Sequence, residues 1–334
     1  MARIGLSQFL FLLKRKPVLP LQQKQRKGII MLKYILKRLG ILLITLFAVV
    51  TLTFFLMQIM PGTPYNNPKL TPEQVARLNE QYGLDKPVWQ QYVKYLTDVF
   101  SGNLGTSFMY VNQSVTTLIV QRLGVSARLG LQALVVGVGL GLVVGAISAR
   151  HKNDRIDGFL SIVSTLGISV PSFVVAVFML NWFGYRTGLL PVSGWGSFSQ
   201  TILPTLALSF SPFAITTRFV RSEMIEALNS DYIQLARAKG LTEKQVVNRH
   251  AYRNSMIPVL TLIGPMTANL LTGSVLIETI FSIPGIGQQF VSSIPTKDFP
   301  VIMGTTIVYS VMLMGMILLT DIITSIVDPR VRLQ

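Results

Sequence analysis

Long apolar runs alternate with short polar connectors along this chain. An α-helix rises about 1.5 Å per residue, so about 20 apolar residues cross a hydrocarbon core about 30 Å thick. The pattern therefore predicts an all-α polytopic membrane protein with about six transmembrane helices. The six predicted spans are Leu39–Met60, Leu129–Ala149, Phe159–Phe183, Thr201–Thr217, Ile257–Ile277 and Val301–Thr320. The fourth is the shortest and contains Pro204 and Pro212, which leaves five spans as the alternative.

Composition agrees with a bilayer setting. Only 13% of the 334 residues are charged, whereas a soluble domain carries about 25%. The net charge of +16 does not indicate a nucleic-acid partner, because the basic residues lie beside the ends of apolar runs, as membrane orientation requires. The chain has no cysteine and two distant histidines, His151 and His250. A disulfide framework and a thiolate or histidine metal centre are therefore not expected.

The distribution of Lys and Arg predicts the orientation. With the N-terminus inside, residues 1–38, 150–158, 218–256 and 321–334 are cytoplasmic, and they hold most of the 30 Lys and Arg residues. The positive-inside rule then gives a multi-pass protein with both termini in the cytoplasm. Residues 1–38 form a basic tail that touches anionic lipid, and residues 1–30 lack a convincing signal peptide. We interpret residues 1–30 as an upstream extension or as the product of an optional upstream initiation, since Met31 is a natural start for the first span.

The remaining domain boundaries follow from the spans. The first helix covers residues 39–60, an external insert covers 61–128, the core with five helices covers 129–320, and a tail covers 321–334. In the insert, Thr71 is suited to start a helix and Gly83 to stop it. A second helix ends near Ser101, so the insert is predicted to be a small helical cap whose aromatic residues pack or lie at the membrane interface.

The connector between spans four and five is charged and favours helix. Ser230 or Asp231 is suited to cap a helix that ends at Gly240, and Thr242 with Gln245 fits a capping box. Two short helices broken at a glycine are therefore predicted. An ordinary cytoplasmic loop, which needs neither caps nor a glycine break, is the alternative to a docking segment.

Several ordered motifs resemble the dipeptide and oligopeptide branch of ABC importer permeases, in particular the subunit with a large external loop after its first span. The matching motifs are MLKYILKRL at Met31, Pro61-Gly62-Thr63-Pro64, SGNLGTS at Ser101, GLLPVSG at Gly188, ARAKGL at Ala236, His250, Arg253-Asn254, Ile257-Pro258, ETIFSIPGIG at Glu278, and Asp328-Pro329-Arg330. The general family loop has Glu-Ala-Ala and, three residues later, Gly. Here Gln234-Leu235-Ala236 and Gly240 stand in those places, so the general motif is degenerate.

This resemblance implies a type I ABC importer permease with a cytoplasmic coupling loop at residues 221–256, in which residues 231–254 couple to the ATPases. It implies a homologous second permease, two cytoplasmic ATP-binding subunits and an extracytoplasmic substrate-binding protein as partners, in a bacterial-type inner membrane. ATP and Mg would be bound by the ATPase subunits, and this chain would bind no cofactor. The implied cargo is a peptide, although related branches carry nickel chelates or glutathione-like compounds. The residues expected to couple to the ATPases are Gln234, Ala236, Arg237, Ala238, Lys239, Gly240 and Leu241.

Polar and small residues interrupt the apolar fifth span. Asn269, Thr272, Gly273 and Ser274 are predicted either to line the substrate path or to pack helices together. Glu278 follows them and leads into an external turn, so a role in shaping the outer gate is a further hypothesis.

The remaining motifs favour a packed helical membrane protein over an enzyme or a secondary transporter. The ladder Gly137, Gly141 and Gly145 places three glycines on one helix face and predicts close helix packing. No GxxxxGK[ST] phosphate loop and no HExxH motif occur in the sequence, so ATP hydrolysis must reside elsewhere and an enzyme is not predicted. A secondary transporter would need an inverted repeat and charged residues within the spans, and neither is evident.

Overall fold

The computed structural model describes residues 20–60, 71–110, 113–271 and 275–327. Within these residues the regular structure is helical. The helices, in chain order, are α1 Pro20–Ile59, α2 Pro72–Tyr82, α3 Val88–Phe100, α4 Val115–Arg150, α5 Arg155–Ser169, α6 Ser172–Met179, α7 Phe198–Leu228, α8 Asp231–Ala238, α9 Glu243–Gln245, α10 Tyr252–Leu271, α11 Val275–Ile280, α12 Ile286–Ser293 and α13 Phe299–Val327. A π-helical segment, Leu180–Arg186, continues α6, and another, Val246–Ala251, joins α9 to α10.

Four helices in the described part of the chain are long and apolar enough to cross a membrane. They are α1, α4, α7 and α13, and the bent pair formed by α5 and α6 makes a fifth if it counts as one span. Helix α10, with 20 residues, covers most of the predicted span Ile257–Ile277. The all-α membrane architecture predicted from the sequence is confirmed, and a count of about six spans agrees with it when α10 is included.

The predicted single span Phe159–Phe183 is wrong in shape. Helices α5 and α6 meet at a bend of 106°, with Val170 in an extended conformation between them. Pro171 causes the break, because proline donates no backbone hydrogen bond and its ring disfavours a helical conformation in the residue before it.

The predicted fourth span Thr201–Thr217 is too short. Helix α7 runs over 31 residues with Pro204 and Pro212 inside it, so these prolines do not end the helix. Membrane helices tolerate proline where neighbouring groups support the backbone. Helix α7 also extends past the predicted cytoplasmic boundary at residue 218.

The glycine ladder explains why α4 and α7 lie so close together. A Cβ on Gly137 would lie 2.6 Å from the Ser209 carbonyl oxygen, and a Cβ on Gly145 would lie 2.7 Å from that of Thr217. Real Cβ atoms almost never approach so closely, so only glycine allows the two backbones to meet here. The prediction of helix packing by these glycines is confirmed.

Apolar clusters at the two ends of the helices hold different parts of the chain together. At one end, Ala149 of α4, Val220 of α7 and Val247 of the second π-helical segment share a cluster. At the other end, Val115 of α4 packs with Ile286 and Val301. The chain ends of α4, α7 and α10 that were predicted to be cytoplasmic therefore lie together.

The helices of the insert form where the sequence predicted them. Helix α2 ends before Gly83, which has a φ of +70°, and α3 ends shortly before Gly102, which has a φ of +78°. Helix α4 begins at Val115, so the predicted boundary at residue 128 falls inside a continuous helix. Helix α3 packs on α1, where the Tyr92 and Thr51 hydroxyl groups are hydrogen-bonded at 2.7 Å.

Candidate coupling site

The segment from Asp231 to Gln245, which we call the coupling segment, forms a helical corner directly after α7. Helix α8 begins at Asp231, after the two-residue turn Asn229-Ser230 that follows the end of α7 at Leu228. Ser230 precedes α8 but does not cap it with its side chain. Its hydroxyl group instead donates to the Ala227 carbonyl oxygen, which ties the start of α8 to the end of α7.

Gly240 makes the corner between α8 and α9. Its φ of +78° lies in the left-handed region, which glycine adopts without a steric penalty. Its N–H donates to the Arg237 carbonyl oxygen at 2.9 Å. The predicted capping box also forms, since the Thr242 N–H donates to Gln245 Oε1 at 3.0 Å and the Gln245 N–H donates to Thr242 Oγ1 at 3.4 Å.

The sequence predicted that the second helix, which starts at α9, would be short. This prediction is wrong. Glu243–Gln245 continues through the π-helical segment into α10, so the corner and the predicted fifth span share one helix. Arg237 and Glu243 form an ion pair across the corner, with 2.6 Å between Nε and Oε1. Both side chains are exposed, so this pair adds little to stability.

One face of the coupling segment packs against the rest of the chain. Ile233 and Ala236 are buried in a cluster with Ala227, Val246 and Ala251. The half-buried Leu241 packs against the same cluster. The predicted coupling residues Ala236 and Leu241 therefore fix the segment to α7 and to the π-helical segment, and Ala236 is not available to a partner surface in this structure.

The opposite face is open. Five of the predicted coupling residues are exposed: Gln234, Arg237, Ala238, Lys239 and Gly240. Leu235 lies among them with 57% of its surface exposed, and Tyr232 is also exposed. Sequence reasoning did not select Leu235 as a coupling residue. The sequence pattern that could have identified Leu235 is its position as an apolar residue on the helix face opposite the buried pair Ile233 and Ala236.

A buried ion pair braces α7 just above the coupling segment. Asp157 of α5, only 3% exposed, accepts two hydrogen bonds from the Arg221 guanidinium, at 2.6 and 2.7 Å. The Ser148 hydroxyl and the Asn153 N–H donate to the same carboxylate. Two-point pairing of this kind fixes orientation as well as charge, so the corner between α4 and α5 is held against α7.

The predicted path residues are mostly outside the described residues. Thr272, Gly273 and Ser274 are not described, and Asn269 lies in α10 but its side chain is not described. Glu278 is fully buried. Its carboxylate accepts hydrogen bonds from the Ser126 hydroxyl at 2.6 Å and the Gln288 N–H at 2.9 Å. These contacts fix the start of α12, while the role of Glu278 at an outer gate stays a prediction.

No three His, Cys, Asp or Glu residues of the described ranges lie close enough together to hold a metal ion. The buried carboxylates Asp157, Glu278 and Asp298 are each hydrogen-bonded within the chain.

Comparison with known proteins identifies the family. The pattern of the binding-protein-dependent transport system inner membrane component matches residues 141–333, and its N-terminal membrane component matches residues 31–130. The chain belongs to this family. Its membership identifies a multi-pass membrane component of a transport system.

Named relatives support the assignment. The dipeptide transport system permease protein DppB of Lactococcus lactis is 68% identical, over 91% of this chain and 100% of the relative. DppB of Bacillus subtilis is 41% identical over 91% of this chain and 99% of the relative. The oligopeptide transport system permease protein OppB of Haemophilus influenzae is 37% identical over 90% of this chain and 100% of the relative.

The fold also matches a solved structure. The match is to a crystal structure of an amino acid ABC transporter with histidines. The aligned region covers 63% of this chain and 94% of the chain in that structure, with a TM-score of 0.52 and 18% sequence identity. At this identity the likeness establishes the fold alone.

Proposed function

We propose that this chain is the membrane-spanning permease subunit of an ATP-driven importer of di- or oligopeptides. Support comes from full-length similarity to two dipeptide permeases and an oligopeptide permease. The chain pairs with a homologous permease to enclose the path and receives peptide from an extracytoplasmic binding protein. Two cytoplasmic ATPase subunits, which bind ATP and Mg, drive the cycle.

The observation that carries the coupling role is the two-sided coupling segment. Ile233 and Ala236 fasten it to its own chain, while Leu235 and its exposed neighbours remain open. An exposed leucine on a firmly mounted, eight-residue helix is suited to enter an apolar recess on another protein. The segment thereby serves as the contact through which the ATPases move the permease, and it lies on the cytoplasmic side with both chain termini.

Movement then passes into the spans along two routes. The coupling segment follows α7 after the turn Asn229-Ser230 and runs into α10 through the π-helical segment, and Asp157 ties α7 to α5 through Arg221. Closure of the ATPases on ATP shifts the population between inward-open and outward-open arrangements of these helices. Asn269, Thr272, Gly273, Ser274 and Glu278 stay our prediction for path residues.

The coupling role is tested by replacing Leu235 with serine. Removing this exposed apolar side chain should weaken ATPase binding by about 2 kcal/mol, or roughly thirtyfold in Kd. Binding is measured by titrating purified ATPase subunits onto the reconstituted permease pair. Ile156→Ser is the matched control, because Ile156 is a similar exposed aliphatic residue in the other predicted cytoplasmic connector. Equal ATPase affinity for the Leu235 variant and the wild type contradicts the proposal.

Cargo is tested separately in proteoliposomes that contain the complete transporter. ATP-dependent uptake of labelled dipeptides and pentapeptides is expected, with unlabelled peptide as an effective competitor. Nickel chelates and glutathione should compete poorly. Transport of either compound in preference to peptides would replace the proposed cargo while leaving the coupling role intact.

A further inference from the structure

Helix α3 of the external insert has an apolar face that is largely exposed in the described part of the chain. Trp89, Val93 and Phe100 are spaced four and seven residues apart, which places them on one side of the helix. Their side chains are exposed, Trp89 by 66% and Phe100 by 83%. Such a stripe on a water-exposed helix would be costly and would promote aggregation.

The other two sides of α3 have different characters. One side packs on α1, where Tyr92 contacts Phe55 and Tyr95 stacks on Phe54 with 5.6 Å between ring centroids. The next side is polar, with Lys94 and Thr97 exposed. The helix therefore has one face for α1, one apolar face and one polar face, in the order expected for a helix lying at a boundary between hydrocarbon and water.

The contacts with α1 set the level of α3 relative to the membrane. The span-forming part of α1 is Ile35–Ile59, and Gln91 is hydrogen-bonded to Gln58 near its end. The Tyr92 hydroxyl reaches Thr51, which lies eight residues, or about 12 Å, before Ile59. One edge of α3 therefore lies beside apolar turns of the span and not beyond its end.

The apolar stripe also continues a surface that the span itself presents. On the same outer turns of α1, Leu52, Phe55, Leu56 and Ile59 are exposed. In a membrane-spanning helix of the described chain, such side chains meet lipid or a neighbouring span. The stripe on α3 extends this apolar surface sideways at the level where Trp and other aromatic residues are enriched in membrane proteins.

We propose that α3 is an interfacial helix that lies in the outer leaflet, with Trp89, Val93 and Phe100 inserted among the lipid acyl chains and headgroups. The polar face with Lys94 and Thr97 then remains in water. The occupant of the stripe is thus the bilayer, and the insert is fixed to the membrane surface in addition to being packed on α1. This assignment does not depend on the cargo or on the ATPase contact.

Site-directed spin labelling tests the proposal directly. The chain has no cysteine, so Val93→Cys, Phe100→Cys and Lys94→Cys each give a single labelling position in the full chain. Val93 and Lys94 are consecutive in α3 and differ by about 100° around its axis, which makes Lys94→Cys a matched control. The labelled chains are reconstituted into nanodiscs of phosphatidylethanolamine and phosphatidylglycerol, and collisions with oxygen and with a water-soluble nickel complex are measured.

The proposal predicts that labels at positions 93 and 100 collide with oxygen and are shielded from the nickel complex. The ratio of oxygen to nickel collisions should be severalfold higher at position 93 than at position 94. High nickel collisions at both stripe positions would place the stripe in water and overturn the proposal, leaving it free for a protein partner. Shielding from both reagents would mean that protein covers the stripe, which also overturns it. Thermal unfolding of each labelled chain verifies that the helix is intact.

Discussion

A methyl group on Gly141 has no space in this structure. A Cβ there would lie 2.6 Å from Thr216 Cβ and 2.9 Å from the Phe213 carbonyl oxygen. Both atoms belong to α7, and one of them is backbone, so neither moves without shifting the helix. In contrast, a Cβ on Gly139, two residues earlier in the same helix, meets nothing within 4 Å.

This pair of glycines yields a matched prediction. Gly141→Ala should lower the free energy of unfolding by about 1–3 kcal/mol, because the added methyl overpacks the contact between α4 and α7. Gly139→Ala should be neutral or stabilise the protein by up to about 1 kcal/mol through its higher helix propensity. Thermal unfolding in detergent compares the two variants. A loss of stability for both, or for neither, would mean that the close approach of the helices is not what Gly141 supplies.

Some of these contacts between residues could be predicted from the sequence, and others could not. Four-residue spacing was enough to predict the packing role of Gly137, Gly141 and Gly145, because spacing along a helix determines which face a residue occupies. The burial of the Glu278 carboxylate was not predictable. It depends on Ser126, a residue of another helix, and no local pattern brings the two together.

At the scale of whole helices, proline was the least reliable predictor of where a helix ends. Pro204 and Pro212 lie inside α7, whereas Pro171 separates α5 from α6 with a 106° bend. The sequence offers the same residue in each case. The outcome depends on tertiary packing, since α7 is supported along its length by the glycine face of α4 and by Gly167 of α5, where a Cβ would lie 2.6 Å from Ala214 Cβ.

The coupling segment was more predictable because its signals are local. Gly240 with its left-handed conformation and the box formed by Thr242 and Gln245 both involve residues within a few positions of each other. Which face would be open was not predictable in the same way. Burial of Ala236 depends on Val246 and Ala251 folding back onto α8.

The brace between α5 and α7 gives a prediction about two elements acting together. Asp157→Asn should lower the free energy of unfolding by about 2 kcal/mol, because the partly buried Arg221 guanidinium loses its charged partner. Arg221→Gln should cost a similar amount. The double variant should cost less than the sum, by roughly 1–3 kcal/mol, as measured by thermal unfolding in detergent. Additive losses would show that the two side chains do not stabilise the fold as a pair.

At the scale of the molecule, the first and last long helices lie side by side. Arg38 at the start of the span in α1 and Asp321 near the end of α13 form an ion pair, with 3.3 Å between Nε and Oδ2. These two residues therefore lie at the same end of the protein. From the positive-inside rule we predict that this end lies in the cytoplasm, together with the coupling segment.

This orientation is testable because the chain lacks cysteine. Lys152→Cys and Lys244→Cys should react with a membrane-impermeant maleimide only in inside-out vesicles. Lys86→Cys, in the external insert, should react only in right-side-out vesicles. All three lysines are exposed, so reactivity reports the side of the membrane and not burial. Labelling of Lys244→Cys from outside would invert the assignment and remove the coupling segment from any cytoplasmic ATPase.

The unbroken run of helix from Glu243 through the π-helical segment to Leu271 has a mechanical consequence. From Glu243 to Asn269 the rise is about 39 Å, of which about 18 Å lies beyond Ile257, where the predicted fifth span begins. We expect a turn of the coupling segment at Glu243 to rotate this helix about its axis as far as Asn269, past Pro258 and Pro265, which lie inside it. A cargo passage next to Asn269 would then open by a screw-like turn of its wall.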